Sequence, residues 1–132
     1  MRTLPHQDEA YVRRELERLL EGLPNVEFDI DYTAIPNASL YNTPFLVKVQ
    51  RATELAVGRS DIAWAPGLSV GFTDSRLVRP LGVVVYNFSP GHLDEDPSLS
   101  GAHRSNESAD IRSIMTRTKM LLALAVDTLC GE

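Results

Sequence analysis

Apolar and polar positions along the chain follow two different periods. Between Asp8 and Leu23 the apolar residues Val12, Leu16, Leu19, Leu20 and Leu23 recur at helical spacing, with Gly22 and Pro24 closing the segment. This predicts an amphipathic helix. Directly after it, Val26, Phe28, Ile30 and Tyr32 alternate with Glu27, Asp29, Asp31 and Thr33, the period-2 pattern of a half-buried strand in antiparallel pairing. Residues 35–42 are rich in Pro, Asn and Ser, have no period, and read as a connector with a boundary near Pro36. Thr43 and Pro44 then supply an N-cap and a first-turn proline for a helix through Val57, which Gly58 ends.

A short strand is expected over Ile62 to Ala65. A second, over Gly82 to Phe88, carries the β-formers Val83, Val84, Val85 and Tyr86 and is expected to be buried on both faces. Ile111, Ile114, Met115, Thr118, Leu122, Ala125 and Leu129 trace one face of a long helix that Ser108 could cap and that would cover such a sheet. The expected fold class is therefore α/β, with no internal repeat.

Composition narrows the class of protein without naming it. The 132 residues, 43% hydrophobic and 23% charged, suit one ordinary globular domain and are few for a two-domain enzyme. A formal charge of −5, with Arg and Glu interspersed, argues against a nucleic-acid partner. One cysteine, Cys130, allows neither an intrachain disulfide nor a cysteine zinc cage, which suits a reducing compartment such as the cytoplasm. The most apolar run, Met120 to Val126, is far shorter than the roughly 20 residues of a membrane span, and no signal-like N-terminal segment precedes it.

Two stretches concentrate groups that could do chemistry. Gly71-Phe72-Thr73-Asp74-Ser75-Arg76 sets a hydroxyl, a carboxylate and a guanidinium in one turn, which could present backbone N–H groups and an arginine to a substrate carboxylate. Local sequence alone equally describes a helix start capped by Thr73 or Asp74, the more frequent outcome for such a turn. Gly101-Ala102-His103-Arg104-Ser105-Asn106-Glu107 places an imidazole four residues before a carboxylate. Imidazole suits zinc and a nearby carboxylate can orient it, although a solvated loop histidine is the more common case.

The order of these stretches adds what their spacing lacks. Gly-x-Thr-Asp-Ser-Arg from Gly71, then Arg79-x-x-Gly82-Val83, then Tyr86-Asn-Phe-Ser-Pro90, then His103-x-x-Asn-Glu107 resembles the end of the zinc-dependent amide hydrolases that include aminoacylase, acetylornithine deacetylase, succinyl-diaminopimelate desuccinylase and carboxypeptidase G. Arg2, Leu4 and Pro5 resemble that family's Arg-x-Leu-Pro opening of a lid helix, and Thr43-Pro44 its helix start after the lid. The resemblance implies residues 1–36 as half of a lid or dimerisation-like α+β unit, and residues 37–132 as the C-terminal part of the catalytic α/β domain. It implies His103 as a terminal zinc ligand, with Glu107 behind it. Gly71, Thr73, Asp74 and Arg76 would shape the substrate pocket.

In the family two zinc ions, replaceable by cobalt or manganese, share the water that attacks an N-acyl amino acid or peptide amide. The early His-x-Asp motif, the bridging aspartate and the Glu-Glu pair that complete that centre precede the lid, so this chain carries no catalytic base. The isolated chain is expected to be inactive, and to associate with itself or with a missing N-terminal part. The alternative is a non-catalytic dimerisation module with a vestigial metal residue.

His92-Leu93-Asp94-Glu95-Asp96-Pro97 also fits the family's metal signature, but its place in the order marks an acidic surface loop. A rebuilt site from His92, Asp94, His103 and Glu107 is the minority reading. His6 reads as a solvated histidine and Trp64 as a packing residue.

Overall fold

The computed structural model of the chain describes residues 3–68, 71, 73–101 and 103–130. Its elements are helical: α1 (Glu9–Leu20), α2 (Pro44–Val57), α3 (Ser75–Val78) and α4 (Ile111–Leu129), with single 3-10 turns at Arg79–Leu81 and Pro97–Leu99. No strand occurs among the described residues, which overturns the α/β expectation and with it the half-lid α+β unit and the α/β catalytic part. No helix among them is long and apolar enough to cross a membrane.

The chain divides into two compact units, each made of separate segments. Unit 1 is Met1–Leu40 with Gly67–Tyr86; unit 2 is Tyr41–Pro66 with Asn87–Glu132. The chain first crosses between them just past Leu40, four residues beyond the boundary expected near Pro36.

In unit 1, α1 starts where Asp8 accepts the Tyr11 N–H at 2.8 Å, and it buries Val12. The alternating residues that follow form no strand, because a strand exists only where a neighbour pairs with its backbone groups. Here the neighbours are α1 and the turn before it: the Tyr32 hydroxyl donates to the Gln7 carbonyl at 2.7 Å, and the Arg13 guanidinium lies 5.9 Å from the Phe28 ring centroid. Leu4 closes a turn with Gln7 (2.9 Å), so part of the lid-like motif precedes the helix as a turn, while Arg2 lies outside the described residues.

The apolar run from Gly82 fails as a strand for the same reason. Val85 N–H donates to the Ser39 hydroxyl (2.9 Å), and Val85 C=O accepts from Ser39 Oγ (3.1 Å) and Arg79 Nη2 (2.9 Å). Side chains thus take the bonds that a ladder would have used. Arg79 Nη1 also reaches Asn37 Oδ1 (3.3 Å), Asn37 Nδ2 donates to Arg76 O (2.8 Å), and the Tyr86 hydroxyl donates to Leu40 O (2.6 Å). Val83 and Val84, expected to be buried, are exposed.

Unit 2 is a helix pair. Thr43 caps α2 by accepting the Leu46 N–H (3.2 Å), Pro44 occupies its first turn, and Gly58 ends it in the left-handed region at φ 74°, where a side chain would strain the backbone. The α4 helix begins at Asp110, which accepts the Arg112 N–H at 2.8 Å; Ser108 instead donates to Leu99 O (3.2 Å). Having no sheet to cover, α4 packs on α2, burying Leu46, Val49 and Ala52 against Met120. Lys48 crosses from α2 to Asp127, its ammonium 3.2 Å from Oδ2 and donating to the backbone carbonyl at 2.8 Å. Trp64, expected to be a packing residue, stacks tilted on Phe88 at 5.3 Å between centroids; no strand forms over Ile62 to Ala65.

Candidate functional site

The turn expected to shape a substrate pocket forms as a helix start. Thr73 Oγ1 lies 2.7 Å from Ser75 Oγ and accepts the Ser75 N–H (3.3 Å), while Thr73 O and Asp74 O accept the N–H groups of Arg76 (3.2 Å) and Leu77 (2.9 Å). Thr73 makes a local turn on the Ser75 N–H just ahead of the helix, and Asp74, at the N-cap position, makes no side-chain cap bond. At four residues, α3 is too short for its dipole to hold an anion, so binding here would fall to the Arg76 side chain. Gly71 adjoins this turn, and Phe72 lies outside the described residues.

His103 sits on a separate turn in unit 2, closed by the Arg104 N–H on Gly101 O (2.9 Å) and fastened by the Ser108 N–H on Ser100 O (2.9 Å). Its φ of 65° is left-handed, a conformation that costs a non-glycine residue about 1–2 kcal/mol. Both His103 and Glu107 are exposed. Ala102 lies outside the described residues. Thr73, Asp74 and Arg76 belong to unit 1, whereas His103 and Glu107 belong to unit 2.

Among the described residues, no group of three or more His, Cys, Asp or Glu is placed to hold a metal. One exposed imidazole does not fit a two-zinc centre. The alternative set of His92, Asp94, His103 and Glu107 is not brought together either. His92 Nδ1 is 3.7 Å from Asp94 Oδ2 and accepts the Asp94 N–H at 3.2 Å, which makes a local turn.

The best-organised polar cluster was not singled out by sequence. Ser113, the side chain most deeply buried in α4, accepts the His92 N–H at 2.7 Å and donates to Glu95 Oε2 at 2.6 Å. Arg117 adds Nη2 at 3.7 Å from Glu95 and donates from Nε to Pro90 O at 3.2 Å. A Cβ at Gly91 would collide with the Glu95 carboxylate, so a side chain there would have to displace that carboxylate from its place beside Ser113. Serine is unremarkable on a helix, so only its alignment with Met120 on the α2-facing side could have flagged it. A hydroxyl that is 1% exposed and already donating to a carboxylate has no route to a substrate; it ties the loop at 90–95 to α4. Over that tie lies a cleft of about 300 Å³, lined by His92, Arg112, Met115 and Lys119.

The Asp110 carboxyl is held below its ordinary value of 3.8, at about 2, chiefly by the Arg112 guanidinium (Nη2 at 2.6 Å) and then by the Arg112 N–H. A depressed carboxylate stabilises the folded chain fully above the unfolded value, and the contribution disappears as pH falls through the folded one. Lowering pH from about 4 to about 2 is therefore expected to release the first turn of α4. Carbon NMR titration of the Asp110 carboxyl checks this: the midpoint is expected near 2, and one near 3.8 rules the tie out.

Compared with protein-family models, with curated proteins and with solved structures, the chain matches none of them.

Proposed function

We propose that the chain contributes to a metal-dependent hydrolase that cleaves amide bonds in N-acyl amino acids or small peptides, and that it is inactive by itself. The observation that carries this reading is the order of its motifs, from the Thr73–Arg76 turn through Tyr86–Pro90 to His103 and Glu107. The helical fold lends it no support. In this reading His103 is one zinc ligand and the others lie upstream of these 132 residues in the same frame, with cobalt or manganese as substitutes. Glu107 orients that histidine, Arg76 pairs with the substrate carboxylate, and the setting is cytoplasmic.

The test starts from the coding sequence upstream of Met1. A continuous frame encoding His-x-Asp-x-x-Pro and a Glu-Glu pair is expected, and its product is expected to hydrolyse N-acetyl amino acids with zinc. His103→Ala should lower that turnover more than about 100-fold, beyond what changing a ligand's hydrogen-bond partner usually costs. Appreciable zinc-dependent turnover by the 132 residues alone, or an upstream frame lacking both motifs, overturns the reading.

A second reading, a non-catalytic dimerisation module, is favoured by one observation. Leu55, Leu122 and Val126 stand 74%, 66% and 54% exposed along the paired helices, where a stand-alone unit would be expected to cover them.

A further inference from the structure

Along one flank of the helix pair in unit 2, Leu55 and Ala56 of α2 and Leu122, Ala123 and Val126 of α4 line an apolar groove of about 620 Å³. Two charges border it, Lys119 and Asp127. They lie four residues before and four residues after Ala123, so along the helix each is about 6 Å from that small residue, in opposite directions.

We propose that this groove is the contact surface for a second copy of the same chain, with the two α4 helices antiparallel and a two-fold axis passing beside Ala123. The charge pattern selects this occupant. About such an axis Lys119 of one copy comes level with Asp127 of the other, and the pair repeats at the far end. The residues between them interleave along the seam, Val126, then the other copy's Leu122, then Leu122, then the other copy's Val126, at axial steps of about 3 Å. The same groove set against a parallel copy would place Lys119 level with Lys119. Lys48 already fixes Asp127 through the 3.2 Å contact, so the carboxylate is oriented before a partner arrives. Ala123 at the crossing lets the two backbones approach closely.

Leu55, Leu122 and Val126 stand 74%, 66% and 54% exposed on this flank, apolar surface that a second copy would cover. The inference stands apart from the hydrolase reading, because it uses neither His103 nor the turn at Arg76.

The experiment uses the full chain with Cys130→Ser, which removes the native thiol. Sedimentation velocity is expected to show a reversible dimer at tens of micromolar. Ala123→Cys in that background is expected to form a disulfide-linked dimer under mild oxidation at least tenfold faster than Leu121→Cys, which points away from the seam. Lys119→Glu, a fully surface change, is expected to weaken dimerisation at least tenfold while circular dichroism keeps its helical signal. A chain that stays monomeric overturns the proposal, as does a groove that takes another polypeptide in place of a copy. Equal crosslinking at 121 and 123, or a dimer indifferent to Lys119→Glu, also overturns it.

Discussion

Ser113→Ala is expected to cost unit 2 about 3 kcal/mol, roughly 1–3 from an orphaned part-buried N–H and 1.5–3 from a hydrogen bond to a carboxylate, overlapping in part. The hydroxyl is both the acceptor of the His92 N–H and the donor to Glu95, whose side chain is 15% exposed. Removing it leaves a part-buried N–H without its acceptor and takes the hydroxyl donor from a shielded carboxylate that lies 3.7 Å from Arg117. Urea unfolding followed by circular dichroism measures the loss, expected as a midpoint lower by about 1–2 M for a chain of this size. Thr118→Ala serves as the comparison: its hydroxyl also bonds a carbonyl on α4, at 2.9 Å, but in the open. A Ser113→Ala midpoint no lower than that of Thr118→Ala removes the role given to this cluster.

Met120→Ala is expected to cost a similar amount, about 3 kcal/mol, for a different reason. Met120 is 4% exposed, and with Leu46, Val49 and Ala52 it makes up the apolar contact of α2 with α4. Truncation leaves a void that so few neighbours cannot refill. Leu121→Ala, one position along and 59% exposed, is expected to change stability by less than about 0.5 kcal/mol. Met120→Leu, which nearly conserves volume, is expected to keep the loss below about 1.5 kcal/mol. Equal thermal shifts for Met120→Ala and Leu121→Ala would place the core elsewhere.

The helices were legible in the sequence because each is specified by residues close together in the chain. Thr43, Pro44 and Gly58 mark both ends of α2, and the expected and observed spans coincide. Apolar spacing found α4, although the cap is Asp110 and not Ser108, two polar residues competing for one position. The strands were not legible for the opposite reason. Alternation at Val26–Thr33 and the valines at 83–85 describe what a side chain prefers, while a strand also needs a second backbone alongside it. Nothing local to Val85 announces that Ser39 and Arg79 take its N–H and C=O. The candidate site divides the same way. The turn at Thr73 could be read from its local hydroxyl and carboxylate residues, whereas the Ser113 cluster joins loop and helix positions that only the folded chain brings together.

The interleaving of the two units sets an order on synthesis. The polypeptide leaves unit 1 after Leu40, returns to it at Gly67 and leaves again after Tyr86, so neither unit is a contiguous stretch. During translation unit 1 must wait for residues 67–86, with α2 already made and its partner α4 not yet emerged. Unit 2 closes only when the last helix clears the ribosome, so for several seconds at about 5–20 residues per second the apolar side of α2 has nothing of its own to meet. A chaperone or a neighbouring nascent chain finds its opening in that interval.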